Sequence, residues 1–116
     1  MPDSMKTVFT PQADGRAVVR ITGRLDFTSA PKARDQFATA IAGGHRKLVV
    51  DLGKVGFVDS AGLGSLIGGM RAARLAGGDL RVANPSEQVT MLLSLTSLDQ
   101  VIKIDPTIEK ALDGFS

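Results

Sequence analysis

Apolar residues alternate between two periodicities along this chain, and the switches between them mark out its elements. Thr7-Val8-Phe9-Thr10 and Arg16-Ala17-Val18-Val19-Arg20-Ile21-Thr22 are β-branched runs on either side of Asp14-Gly15. An Asp-Gly turn between two such runs signals a hairpin. Thr28-Ser29, with Pro31 just behind, then carries the signature of a helix start. Ala30, Ala33, Phe37 and Ile41 follow at helical spacing until Gly43-Gly44 ends the segment. Lys47 to Leu52 reads as a strand too continuously apolar to have a solvated face, which suits a central parallel position. From Ser60 to Ala76 the helical period returns in Leu63, Leu66, Ile67, Met70 and Ala73, closed by Gly77-Gly78. Asp79 to Ala83 is a strand, Ser86 is placed to cap a short helix bearing Val89, Leu92 and Leu93, and Val101 to Ile104 is a last strand. Asp105-Pro106 opens a final helix through Leu112. Strands alternating with helices predict a single α/β domain over residues 1–116, with a mixed, mostly parallel sheet of about five strands opened by a β-hairpin, and about four helices.

The densest chemistry lies in Phe57-Val58-Asp59-Ser60-Ala61-Gly62-Leu63-Gly64, where a strand and loop run into a helix. Ser60 falls where a helix begins, and either Asp59 or Ser60 is suited to cap its free N–H groups. The same position accepts added negative charge, because the helix dipole and its unpaired donors favour an anion. A phosphoryl group on Ser60 would add a charge of about −1.5 to −2 next to Asp59. The helix N-terminus would partly compensate, so the effect should fall on whatever docks there and leave the fold intact. Gly62, Gly64, Gly68 and Gly69 each cost about 1 kcal/mol relative to Ala in a helix interior. Close packing on the sheet would offset that at Gly68 and Gly69, and close approach of a partner's backbone at Gly62 and Gly64.

Other chemistries find less support. Nucleophilic catalysis by Ser60 needs a base within reach. The one histidine, His45, precedes the strand that Ser60 follows, and Val58 stands where a Gly-x-Ser-x-Gly elbow needs its first glycine. A small hydrolase using Ser60 would lose turnover in Ser60→Ala. No phosphate-binding glycine motif of either common nucleotide type occurs. Asp26, Asp51 and Asp59 have no metal-ligand spacing and read as caps and loop groups. With no cysteine among 116 residues, thiolate chemistry and disulfides are excluded. Fourteen Lys/Arg against twelve Asp/Glu, scattered in both signs, form no basic run that suits nucleic acid. Met1-Pro2-Asp3-Ser4 lacks the start of a signal peptide, and no apolar run is long enough for a bilayer, so a cytoplasmic protein without a membrane partner is expected.

Taken together, Leu48-Val49-Val50-Asp51-Leu52, five further residues, and Val58-Asp59-Ser60-Ala61-Gly62-Leu63-Gly64 resemble the STAS family, in particular its bacterial anti-sigma factor antagonists. Val18 to Asp26, Gly77-Gly78 and Leu92 to Asp99 extend the resemblance over nearly the whole chain. It implies a partner-switching regulator, with no catalysis and no cofactor of its own. The unphosphorylated form would bind an anti-sigma factor serine kinase and free a sigma factor. Phosphorylation at Ser60 would end binding, and a PP2C-type phosphatase would reset it. The implied partner surface comprises Asp26, Thr28, Asp59, Ser60, Ala61, Gly62, Leu63 and Gly64, on a monomer or weak dimer. One departure stands out: Arg24 occupies a position where the family often has an acid. The alternative within the family is a subunit docked on a transporter or stress-sensing complex without a phospho-switch.

Overall fold

A computed structural model describes residues 5–115 of the chain; the sequence reading of Met1 to Ser4 lies outside them. Five strands form one sheet in the order β1-β2-β3-β4-β5. They are β1 (Lys6–Pro11), β2 (Arg16–Leu25), β3 (Lys47–Val58), β4 (Asp79–Ala83) and β5 (Lys103–Asp105). The first pair is antiparallel and the other pairs are parallel. The helices are α1 (Ala30–Ala42), α2 (Ser60–Leu75), α3 (Glu87–Leu95) and α4 (Ile108–Asp113). The hairpin turns through a short 3-10 segment in which Asp14 and Gly15 hold left-handed φ values of +62° and +75°. Aspartate and glycine are residue types that tolerate that region.

Strand alternation divides the interior. Ala17, Val19 and Ile21 of β2, Leu48, Val50 and Leu52 of β3, and Leu80 and Val82 of β4 point to one face. There they meet Ala33 and Phe37 of α1, Leu66 and Met70 of α2, and Val89 and Leu93 of α3. The opposite face carries a smaller cluster of Val18, Val49 and Ala83, sealed by Ala111 of α4 with Ile108, Leu112 and Phe115 against it. β3 is therefore covered on both sides over Leu48 to Val50, as its continuous apolar run predicts. Asp51 also faces the second side, 4% exposed, and is held by Arg20 at 2.8 Å and by the Gly53 N–H at 2.9 Å.

Three boundaries and one buried stripe depart from expectation. β3 continues to Val58 because its pairing with β2 resumes past Leu52, through register shifts, as far as Leu25 opposite Val58. β5 begins only at Lys103, since Leu98–Gln100 form a 3-10 turn and Ile102 enters the core before the pairing starts. α4 starts at Ile108, not at Asp105-Pro106: Asp105 pairs with Ala83 in the sheet, and the Thr107 side chain accepts the Lys110 N–H as the cap. In α1 the buried stripe is Ala30, Ala33, Phe37 and Ala40, with Ile41 half-buried at its edge.

Candidate functional site

Two adjacent strands, β2 and β3, end side by side, with Leu25 opposite Val58. Each runs directly into a helix, so two helix N-termini and the loops that feed them emerge at the same end of the sheet. Unpaired N–H groups are concentrated there, and two carboxylates satisfy them.

Asp59 is the cap of α2: its Oδ1 accepts the Gly62 N–H at 2.9 Å. Of the two candidate caps the acid holds this place, and Ser60 is the first helical residue. The second oxygen, Oδ2, accepts the Phe27 N–H at 3.0 Å, from the loop between β2 and α1. Asp59 thus ties the two loops together, a role that its place before a helix does not reveal.

Asp26 organises the other loop. Its Oδ1 accepts the Thr28 hydroxyl at 2.6 Å and the Thr28 N–H at 3.0 Å, and its Oδ2 faces the Arg24 Nε at 3.3 Å. The Thr28 hydroxyl leads in lowering the Asp26 pKa from 3.8 to about 2; desolvation opposes it, and the Thr28 N–H, Arg24 and Ser29 add to the lowering. Ser29 precedes α1 but its hydroxyl does not cap that helix. It donates to the Arg24 carbonyl at 2.7 Å and accepts the Asp26 N–H at 3.0 Å, closing the loop on itself.

Around these acids the surface is mixed. Ser60 and Thr28 are exposed, Asp26, Asp59, Ala61 and Gly64 are half-buried, and Gly62 and Leu63 are buried. A methyl group on Gly62 would run into the Leu25 carbonyl and the Val58 side chain, so this glycine serves the close approach of α2 to the end of β2. The expected division of the glycines is accordingly redrawn. Gly62 and Gly69 pack inward, the latter against Phe37 and Leu80, while Gly64 and Gly68 lie toward Arg34 of α1.

Three residues outside the expected set belong to this surface. Phe27 is 73% exposed, and Phe57 is 40% exposed with the Arg24 guanidinium 4.1 Å above its ring centre. A signal for Phe27 was available, since it falls outside the apolar stripe of α1 and sits between two turn residues. The Arg24–Phe57 stack needed the strand register.

His45 lies at the other end of β3, its ring edge-on to Phe9 with centroids 5.1 Å apart. A Ser60–His45 pair is therefore not assembled. Asp26 and Asp59 converge at the strand ends, but Asp51 is engaged on the far face by Arg20. Among the described residues no three metal-ligating side chains gather.

A mixed five-stranded sheet with three helices on one face, and an exposed serine at the start of α2, makes up a small α/β domain. The profile of the STAS domain matches residues 7–111, and the chain belongs to the STAS domain family. An anti-sigma-B factor antagonist of Bacillus subtilis strain 168 is 33% identical over 91 residues, 78% of this chain and 83% of the relative. Two curated relatives from Thermotoga neapolitana and Thermotoga maritima are 34% identical over 70 residues, a match that spans 62% of their length. Among solved structures, an anti-sigma factor antagonist from Mycobacterium paratuberculosis superposes with a TM-score of 0.86 at 29% identity, covering 99% of this chain and 97% of that one. The anti-sigma factor antagonist SpoIIAA in its unphosphorylated form gives 0.79 at 26%, covering 93% and 94%. No helix among the described residues is long and apolar enough to cross a membrane.

Proposed function

We propose that the chain is an anti-sigma factor antagonist that works by partner switching. Its unphosphorylated form binds an anti-sigma factor that is also a serine kinase, and so releases a sigma factor. Phosphorylation of Ser60 ends the complex, and a PP2C-type phosphatase restores it. On this reading the chain is a substrate and a regulator, without turnover of its own, and acts in the cytoplasm.

The observation that carries the proposal is the state of Ser60. It is exposed at the first position of α2, while the neighbouring Asp59 performs the capping. The hydroxyl is thus available to a kinase, and modifying it need not unmake the helix start. The docking surface is the β2–α1 loop with the first turns of α2: Asp26 and Thr28 on one side, Asp59 to Gly64 on the other. Buried Gly62 and Leu63 shape this surface from beneath. A phosphate placed there adds bulk and a charge of about −1.5 to −2 to the surface offered to the partner. The kinship with antagonists from Bacillus subtilis and Mycobacterium paratuberculosis supports the assignment.

The test is to mix the purified chain with candidate anti-sigma factor kinases and ATP and to follow intact mass. The expected result is a gain of one phosphate that disappears in Ser60→Ala. Stable complex formation with no phosphate gained would instead favour a permanently docked subunit of a larger assembly.

A further inference from the structure

Arg34, on α1, is an exposed cation that joins none of the five ion pairs among the described residues. Its guanidinium lies along α2. A Cβ built on Gly68 would stand 3.9 Å from the Arg34 Nε, and one built on Gly64 would stand 3.5 Å from its Nη2. Gly68, Gly64 and Ser60 are spaced at i, i+4 intervals, so they form one row on the helix surface. From Nε to Nη2 the guanidinium therefore points up this row toward Ser60, the next position, about 6 Å further along the axis.

We infer that Arg34 is the intramolecular partner of phosphorylated Ser60. The inference rests on the proposed switch and adds how the modified state is held. A phosphoryl group on Ser60 carries three acceptor oxygens and a charge of about −1.5 to −2. The terminal nitrogens of an arginine match it as a fork of donors. Gly64 leaves the path between them open, where a larger side chain would fill it. Pairing draws the phosphate down over the first turns of α2, so that it covers the face offered to the partner as well as charging it. Asp59 beside Ser60 and, in the β2–α1 loop tied to it, Asp26 with its partner Arg24 lie at this end of the sheet, and on α1 Lys32 donates to the Met5 carbonyl. The two acids oppose the phosphate dianion, which leaves Arg34 as the unengaged cation on the α1 side.

The full chain with phosphoserine installed at position 60 during translation makes the test independent of any kinase. Its second phosphate ionisation, ordinarily near pH 6, is followed by phosphorus NMR in the parent, Arg34→Ala, Arg34→Lys and Arg71→Ala. Arg71 is an exposed arginine about three turns further down α2. Arg34→Ala should raise the midpoint by about half a pH unit, the size expected of an exposed ion pair. Arg34→Lys should restore most of that shift, and Arg71→Ala should leave the midpoint in place. Equal midpoints in the parent and Arg34→Ala overturn the pairing, and so does a shift as large in Arg71→Ala, which would be a general field effect. Thermal melts of the unphosphorylated proteins confirm that each variant is folded. Because the phosphate is installed directly, absence of a kinase would count against the proposed function and leave the ion pair to be judged by itself.

Discussion

The two ends of the sheet are built from opposite chemistry. Where β2 and β3 finish, their loops lead into helix N-termini, and the side chains that close them are acids: Asp26 gathers Thr28 and Arg24, and Asp59 gathers Gly62 and Phe27. At the end where β3 and β4 begin, helix C-termini arrive, and the side chains that meet them are cations. Arg46 donates to the Ala76 carbonyl at the end of α2 at 3.2 Å, and Arg74, in the last turn of α2, is paired with Asp79 at 2.8 Å and donates to the Val101 carbonyl ahead of β5 at 2.7 Å. Parallel βα units impose this asymmetry, since each strand's C-terminal end delivers free N–H groups and each helix's C-terminal end delivers free carbonyls. A serine that is to carry a phosphate is better placed at the first end, where the helix dipole favours an anion. Ser60 is there, while His45 and the glycine turns are at the other.

The sharpest way to break this contrast is to place charge on the donor-rich end. Ser60→Asp should weaken binding to the proposed anti-sigma factor partner by about two orders of magnitude or more, with circular dichroism and melting temperature nearly unchanged. Retained tight binding, measured by calorimetry, would remove the switch from this end.

Next come the two glycines that let chain segments touch at opposite ends. Gly62→Ala would strike the Leu25 carbonyl and Gly78→Ala the Arg46 carbonyl. Each should cost about 1–3 kcal/mol in denaturant unfolding, as overpacking does. Only Gly62→Ala should also weaken the partner, because only its strain moves α2 against the docking loop. Equal losses of affinity in both would erase the distinction between the ends.

Asp59→Ala should cost about 1–2 kcal/mol through loss of the cap, and hydrogen exchange should speed at the Gly62 and Phe27 amides together. Asp59→Asn sharpens the point. Its amide has one acceptor oxygen for two N–H groups, so one of the two amides should stay protected and the other should open.

The smallest effect concerns acid. The Asp26 pKa is lowered from 3.8 to about 2 in the folded chain. A depressed carboxylate contributes stability that is fully present above the unfolded value near 3.8 and is lost as pH falls through about 2. Acid unfolding of Asp26→Asn should therefore differ from the parent above pH 3.8 and converge with it toward pH 2. Divergence that persists at the lowest pH would mean that the asparagine disturbs the loop geometry itself.

Much of the molecule was readable from the order of residues. The hairpin at Asp14-Gly15, the buried run of β3, the stripe of α2 and the Ser86 cap follow from local rules, because backbone preference and burial period act over a few neighbours. The helix start at Asp59 and Ser60 was legible for the same reason, as a strand running into a helix leaves a recognisable signal, whereas Asp26 and Thr28 were named as site residues only through the family resemblance. Tertiary contact decided the rest. β3 runs on to Val58 because β2 lies beside it, and Gly62 is spent on the Leu25 carbonyl because α2 returns over β2. One Asp59 oxygen serves a loop 32 residues away, and Arg34 comes to rest on Gly64 and Gly68 because α1 packs against α2. These are distances between segments far apart in the chain. A local pattern records what each residue prefers, and only the packed sheet lets Asp59 at the start of α2 hold the β2–α1 loop and sets Arg24 of β2 over Phe57 of β3.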